Sequence, residues 1–258
     1  MYLSDLEAKQ LIVSIGHKMS DSRFVTANDG NLTVRVSDDA IWATPTGVNK
    51  GELTEDMLIK VRISDGAILE GTWKPTCELQ MHLNIYRTDD SIVSTAHAHP
   101  LNLSVLACAG IELDLPSCPA SACISGRIPV APYADFGSKK LAESVIPYVK
   151  DYHVVNLANH GPIAWGKNPR EAWYRLEDAE ASAKLALELV KLGRLRPLSS
   201  SQLDELFRVH NPGITEKSCV RRVETTPNPD PAIPLLSSSG IFSARPDPPI
   251  FCQALTWI

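Results

Sequence analysis

The sequence predicts a layered α/β domain built around a mixed sheet. Short segments with alternating or β-branched apolar residues, such as 31–36 and 91–97, have the pattern of strands. Segments with apolar residues three and four positions apart, such as 3–20, have the pattern of helices and lie before and between these strands. No glycine-rich phosphate loop follows a predicted strand, so the pattern does not favour a doubly wound nucleotide-binding sheet.

The N-terminal half is predicted to mix helices with short strands. Ser4 can cap the first helix, and Glu7 stands where a capping box needs a carboxylate. A hairpin is expected around the turn at 64–66. The predicted strands of this half cover 31–36, 40–45, 57–63, 67–71 and 91–97, and the predicted helices cover 3–20, 77–87 and 101–110.

The second half is predicted to end in a long helix. Residues 111–136 contain several prolines and are expected to be largely irregular, with one short strand near 128–131. Asn168 can cap the last helix, with Pro169 at its first position and Gly193 at its end. Before it, a helix is predicted at 138–150 and two strands joined by a tight turn are predicted at 153–159 and 161–166.

Composition and charge exclude several classes of protein. A formal net charge of −5 argues against a nucleic-acid-binding surface. No apolar run is long enough to span a membrane, and the N-terminal segment lacks the pattern of a secretory signal. The six cysteines show neither metal-site nor disulfide spacing, which is typical of reduced thiols in a cytoplasmic protein.

A change in composition divides the chain near residue 211. Eight of the nineteen prolines fall in 211–258, where few apolar positions are periodic. We therefore predict one domain over 1–210 and a proline-rich tail over 211–258 that is extended or partly disordered.

Three histidines and a glutamate form a candidate metal site. His97 and His99 lie two residues apart at the end of a predicted strand, where alternate side chains point to the same side. His160 lies in a turn between two apolar segments, and Glu78 lies in the first turn of a predicted helix. Three imidazoles and a carboxylate are suitable ligands for a catalytic divalent cation such as zinc.

A second arrangement of ligands is also open. Glu78 and His82 are four residues apart on the predicted helix and can face the same side. These two residues can contribute to a metal site of their own, or His82 can be a buried residue that supports the first site.

Three loops rich in small residues and hydrogen-bond donors indicate an anion site. They cover 27–32, 44–51 and 74–77, and the last leads into the helix that carries Glu78. Glycine and asparagine let the backbone approach a ligand closely, and threonine hydroxyls add donors. An anion site beside a metal site indicates a phosphorylated sugar as the substrate.

Six motifs together resemble the class II aldolase/adducin family over about residues 5–195. In chain order they are DGNLTVR, TPTG, PTCELQMH, HAHP, APYADFG and NHGPIAWG. The resemblance implies a three-layer α/β/α fold with a mixed, largely antiparallel central sheet. Within the family it is greatest to the aldolases that act on L-fuculose 1-phosphate, which cleave a ketose 1-phosphate reversibly to dihydroxyacetone phosphate and an aldehyde.

The resemblance also implies roles for individual residues. His97, His99 and His160 match the zinc ligands, with one zinc per subunit, and Glu78 matches the catalytic acid–base residue that also binds the metal before substrate arrives. A homotetramer with active sites at subunit interfaces is implied as well. The positions that match the phosphate-binding residues are Gly30, Asn31, Thr46, Gly47, Thr76 and Cys77.

The chain departs from the family pattern in three places. Cys77 stands where serine is common, and 112–122 contains no tyrosine where the aldolases carry one. The tail offers Trp257 but no tyrosine. The group that serves the departing aldehyde oxygen is therefore not assigned by the motifs.

Other activities of the family stay open. A methylthioribulose-1-phosphate dehydratase or a pentulose-phosphate 4-epimerase would use the same metal site, whereas a decarboxylase is disfavoured because a different residue is expected at Glu78. A non-catalytic, adducin-like binding module is the alternative from another class. The presence of all four candidate ligands argues against such a module, because it has no physical need for them.

Overall fold

The computed structural model describes residues 2–114, 118–193 and 196–210. The tail predicted over 211–258 lies outside these residues, so both its conformation and the domain boundary at 210 stay predictions. No helix in the described part of the chain is both long and apolar enough to cross a bilayer.

The described strands form one eight-stranded sheet. Its order is β4-β3-β2-β1-β5-β8-β7-β6, and all neighbours are antiparallel except β6 and β7. The mixed, largely antiparallel sheet is therefore confirmed. The strands are β1 (Asn31–Ser37), β2 (Ala40–Ala43), β3 (Ile59–Arg62), β4 (Ile68–Glu70), β5 (Ser94–His97), β6 (Val130–Ala131), β7 (Val154–Leu157) and β8 (Pro162–Gly166).

Helices cover both faces of the sheet, which confirms the three-layer α/β/α fold. One apolar core joins α1, α3 and α6 to one face, and a second joins α2 and α5 to the other. The helices are α1 (Asp5–Asp21), α2 (Leu79–Thr88), α3 (Leu101–Ala109), α4 (Pro119–Ile124), α5 (Lys139–Ser144), α6 (Pro169–Lys191) and α7 (Ser200–His210).

Helix ends follow the predicted capping residues closely. Ser4 and Glu7 form the capping box of α1, and the side chain of Asn168 caps α6, with Pro169 at its first turn. The helix predicted from residue 77 begins only at Leu79, because Glu78 occupies the N-cap position with non-helical backbone angles.

Three other predictions need correction. The segment 111–136, expected to be largely irregular with one short strand, also contains the helix α4. The helix predicted at 138–150 is shorter: α5 ends at Ser144, and a separate 3₁₀ turn containing Pro147 follows. Helix α7 has no counterpart among the predicted elements.

The N-terminus of α3 is capped from a distant helix. Pro100 at the N-cap has no side chain that can accept a hydrogen bond. Instead, the carboxylate of Glu180 on α6 accepts from the backbone N–H of Asn102 at 3.0 Å and from that of Leu103 at 2.9 Å. This contact fixes α3, and with it the chain that leaves His99.

We expect Glu180→Ala to lower the free energy of unfolding by about 1.5–3 kcal/mol, because it removes charge-assisted hydrogen bonds at a helix start. Urea unfolding measures the change. Glu188→Ala, which removes an exposed carboxylate paired with Lys191, is the matched control and should change stability by less than about 0.5 kcal/mol. Equal effects in the two variants would show that the capping contact adds nothing.

Candidate active site

The three predicted histidine ligands come together at one end of the sheet. His97 is the last residue of β5, His99 follows it two residues later, and His160 lies in the turn between β7 and β8. The ring centroids lie 4.7–4.9 Å apart, and the three candidate ligand nitrogens lie within 4.8 Å of one another. The described residues thus contain a three-histidine cluster that is able to bind a metal.

The turn that carries His160 fits closely against the segment that carries His99. Asn159 adopts a left-handed φ of 58°, which asparagine tolerates better than most residues. A Cβ atom on Gly161 would lie 2.5 Å from the carbonyl oxygen of Ala98 and 2.9 Å from the ring of His99. Only glycine permits this approach, so Gly161 allows the two histidines to meet.

Hydrogen bonds on the outer ring nitrogens direct the inner nitrogens of two histidines into the cluster. His97 Nδ1 lies 2.9 Å from the carbonyl oxygen of Pro162, and because a carbonyl only accepts, Nδ1 carries the proton. His99 Nδ1 lies 3.4 Å from the carboxylate of Asp29. The Nε2 atoms of His97 and His99 then face each other at 3.1 Å with their lone pairs available.

Glu78 completes the cluster. It is buried at the start of α2, and its carboxylate oxygens lie 3.4 Å from Nε2 of His97 and 3.4 Å from Nε2 of His160. Oε2 accepts a hydrogen bond from Asn31 at 2.8 Å, whereas Oε1 has no hydrogen-bond partner among the described residues. Burial raises the pKa of this carboxyl group, and the Asn31 bond opposes that change.

The donor set fits a divalent metal ion. Burial lowers the pKa of His97 well below its ordinary value, lowers that of His99, and lowers that of His160 to about 4, so all three rings are neutral at pH 7. Nitrogen ligands of a tetrahedral zinc with bonds of about 2.0–2.1 Å lie ~3.4 Å apart. The Nε2 atoms of His97 and His99 lie 3.1 Å apart, and all three ligand nitrogens lie within 4.8 Å of one another. The free Oε1 atom of Glu78 is a further donor directed at the same cluster.

A cavity of about 380 Å³ opens beside the histidines. Five of the six predicted phosphate residues line it, and Gly47 is not part of the lining. Gly30 has a φ of +73°, and a Cβ there would lie 2.5 Å from Val25, so the loop needs glycine at this position. The full lining is Asn28, Asp29, Gly30, Asn31, Pro45, Thr46, Thr76, Cys77, Glu78, His99, Tyr133, Ala134, Phe136, Asn159 and His160.

The Asn31 side chain is already engaged at both ends. Its amide nitrogen donates to Glu78, and its oxygen lies 2.5 Å from Nε2 of His82. A contact between this side chain and a phosphate therefore requires that the bond to Glu78 be exchanged. Cys77, the departure from serine, is a lining residue, and burial and Glu78 raise the pKa of its thiol.

His82 does not form the rival metal site. Its Nε2 faces Asn31, and its Nδ1 lies 2.5 Å from the hydroxyl of Thr95, so both ring nitrogens are engaged. Beyond Thr95 the chain of contacts continues to Thr33 at 2.5 Å and then to the phenol of Tyr86 at 2.7 Å. His82 is therefore a buried supporting residue behind Glu78, the second of the two readings that the sequence left open.

The carboxylate of Glu78 fixes the direction of this chain. A carboxylate only accepts, so Asn31 donates its N–H to Glu78 and must accept from His82 through its oxygen. His82 is neutral and has one ring proton, which is used on Asn31, so Thr95 donates to Nδ1. Thr95, His82 and Asn31 thus all donate toward Glu78, which holds the carboxylate in one orientation.

Burial of His82 makes stability depend on pH. Its pKa falls from 6.5 to about 3, so between these values the unfolded chain binds a proton that the folded protein does not. The free energy of unfolding of the metal-free protein should therefore fall with decreasing pH below 6.5, by up to about 1.4 kcal/mol per pH unit from this group. Urea unfolding at several pH values should show a smaller slope in His82→Gln, and an unchanged slope would contradict this origin.

Three lining residues were missed by the sequence interpretation. Asp29 lies in the loop 27–32 and contacts His99, but no pattern marks it as different from other loop acids. Tyr133 and Phe136 lie in the motif APYADFG, to which the family resemblance assigns no residue roles. Tyr133 donates its hydroxyl to Asp135 at 2.8 Å, which raises its pKa, and Phe136 is 77% exposed.

Comparison with known proteins agrees with this architecture. The model of the family "Class II Aldolase and Adducin N-terminal domain" matches residues 10–187. A solved structure described as a putative aldolase/epimerase/decarboxylase from Klebsiella pneumoniae superposes with a TM-score of 0.74 at 28% identity and covers 79% of this chain and 99% of that chain.

Two relatives of different activity match at the same identity. A 3-oxo-tetronate 4-phosphate decarboxylase from Pectobacterium atrosepticum is 34% identical over 207 residues, which are 79% of this chain and 94% of that protein. An L-fuculose phosphate aldolase from Methanocaldococcus jannaschii is 34% identical over 179 residues, which are 69% of this chain and 95% of that protein. With the family model matching most of its length, the chain belongs to the class II aldolase/adducin family.

Proposed function

We propose that this protein is a zinc-dependent lyase that cleaves a ketose 1-phosphate of the L-fuculose 1-phosphate type to dihydroxyacetone phosphate and an aldehyde. The observation that carries the proposal is the buried carboxylate of Glu78 facing three neutral histidines at the edge of a cavity lined by the anion loops. Relatives named as phosphate aldolases and phosphate decarboxylases support a phosphorylated substrate.

The histidines and Glu78 divide the chemistry between them. His97, His99 and His160 would hold the zinc, which supplies Lewis-acid stabilisation of negative charge on the substrate oxygens. When the C3–C4 bond breaks, its electron pair stays on C3 and gives the enediolate of dihydroxyacetone phosphate. Glu78, protonated from solvent before the bond breaks, then delivers this proton to C3 from its free Oε1 atom, which is why a raised pKa suits this carboxyl group.

Bond cleavage also requires that the C4 hydroxyl lose its proton. Tyr133 is the phenol in the described lining, and its hydroxyl donates to the carboxylate of Asp135. This pair can take the hydroxyl proton at the phenol oxygen while the phenol passes its own proton to Asp135, which releases it to solvent as Glu78 is reprotonated for the next cycle. Tyr133 therefore fills, in this proposal, the role left open by the missing tyrosine in 112–122.

Decarboxylation of a 3-oxo-tetronate 4-phosphate is the second candidate. Loss of CO₂ from this substrate leaves the same enediolate, which the same proton from Glu78 converts to dihydroxyacetone phosphate. This reaction has no hydroxyl proton to remove, so it does not need Tyr133. This chain is as similar in sequence to a named decarboxylase as it is to a named aldolase, so decarboxylation is kept as a candidate. The expectation that disfavoured a decarboxylase because of Glu78 therefore loses its support.

One set of assays separates these activities. Metal content is measured on the purified protein, and the release of dihydroxyacetone phosphate is then followed with L-fuculose 1-phosphate and with 3-oxo-tetronate 4-phosphate. We expect about one zinc per chain and cleavage of the ketose, with Tyr133→Phe slowing aldol cleavage but not decarboxylation. Release from the 3-oxo acid alone would replace the aldolase by the decarboxylase, and zinc without either product would direct attention to dehydratase and epimerase substrates. Neither metal nor activity would favour a binding module.

We also propose that the active protein is a homotetramer with the site near a subunit interface. On α3, which follows the histidine segment directly, Leu101 is 72% exposed and Val105 is also exposed. The side chains of Tyr133 and Phe136, which line the cavity, are also largely exposed to solvent. Apolar groups so close to a site favour cover by a second subunit, and light scattering coupled to size-exclusion chromatography measures the mass.

A further inference from the structure

A buried lysine joins two of the loops that line the cavity. Lys50 begins a 3₁₀ turn at the end of the loop 44–51, which also contains Thr46, and it is 1% exposed. Its ammonium donates to the carbonyl oxygen of Val48 at 2.6 Å and to that of Asn28 at 3.2 Å. One cation thus binds the backbone of the loop that carries Thr46 and the backbone of the loop that carries Gly30.

The environment of Lys50 is unusual for a lysine. No carboxylate of the described residues lies within ion-pair distance of its ammonium, and a buried, unpaired charge is costly. Burial lowers the pKa of Lys50 to about 8, against the opposing effect of Asp29, so the group is mostly protonated at pH 7. Because burying the Lys50 ammonium is costly, we look for a role that this charge has in the neighbouring cavity.

The cavity lacks the positive charge that a phosphate needs. Its described lining contains the carboxylates of Asp29 and Glu78 but no lysine or arginine. The loops offer hydroxyl and backbone donors, which bind an anion without neutralising it. The Lys50 ammonium is buried outside the lining and contacts the backbone of Asn28, which is a lining residue. A buried charge is weakly screened, so it can act on the cavity from this position.

We propose that Lys50 is a positioning residue for the phosphate of the substrate: it holds the two loops together from behind and provides the positive charge that their lining lacks. This inference rests on the proposed function, because it concerns the phosphate end of the same cavity. It predicts that Lys50 acts on phosphorylated ligands and leaves the metal-binding end unaffected.

The test compares two ligands on the zinc-loaded protein by calorimetry. Phosphoglycolohydroxamate combines a metal-binding hydroxamate with a phosphate, and glycolohydroxamate lacks the phosphate. We expect Lys50→Met to weaken the phosphorylated ligand by about tenfold or more and the other by less than about twofold, since only the first needs the charge. Equal weakening of both ligands, or no weakening of either, would overturn the proposal.

Two further variants keep the result interpretable. Lys60→Met also removes one lysine, but from an ion pair with Asp5 outside the cavity lining, and should leave both affinities unchanged. Lys50→Gln lacks the charge but can still donate to one carbonyl, so it should show the same selective loss even if the Met variant does not fold. If the wild type binds neither hydroxamate, the proposed function fails; if it binds both equally, only the phosphate site and the role of Lys50 fail.

Discussion

Glu78→Gln should retain its metal and lose turnover, with kcat lower by about 10²–10⁴-fold. The three histidine donors are untouched, and the amide oxygen of glutamine can still accept the hydrogen bond from Asn31. The variant cannot exchange a proton at C3, because an amide has no ionisable proton at pH 7.

Proton exchange gives the sharpest measurement of this effect. Dihydroxyacetone phosphate in D₂O exchanges its C3 hydrogen only when the enediolate forms, so the assay requires neither an aldehyde nor CO₂. We expect exchange in the wild type and in Glu70→Gln, an exposed acid on β4, and none above background in Glu78→Gln. Full exchange or full activity in Glu78→Gln would assign the proton transfer to another group.

Local patterns predicted most of the secondary structure and the convergence of His97 with His99. The alternation of His97 and His99 predicted convergent rings, and they do converge, although β5 ends at His97 and His99 follows it outside the strand. Capping residues such as Ser4 and Asn168 predicted helix starts because a cap acts on N–H groups only two or three residues away.

Contacts between distant segments could not be predicted in the same way. Pairing of β1 with β5 sets Asn31 opposite His97, and this register brings the Asn31 amide to Glu78. Nothing within either strand specifies that pairing. The burial of Lys50 is a similar case, since lysine is normally exposed and only the packing of two loops around it reveals its position.

His99→Ala should abolish metal binding and with it the proposed activity. His99 is more exposed than His97, so its truncation removes one of the three imidazole donors with less damage to the core. The variant keeps His97, His160 and Glu78, one donor fewer than the wild-type set, so its hold on zinc should be much weaker. We expect about one zinc per chain in the wild type and less than about 0.1 in the variant, measured by mass spectrometry.

Stability provides a second readout that does not depend on the substrate. A metal that binds only the folded state stabilises it by about 4 kcal/mol at a free concentration of about 1,000 times Kd. Chelation should therefore lower the melting temperature of the wild type and of His17→Ala, a histidine variant outside the cluster, but not that of His99→Ala. If His99→Ala keeps its zinc and its chelator-sensitive stability, the metal lies elsewhere. The three-histidine cluster would then be a packed group of neutral rings, and Glu78 would have no metal beside it.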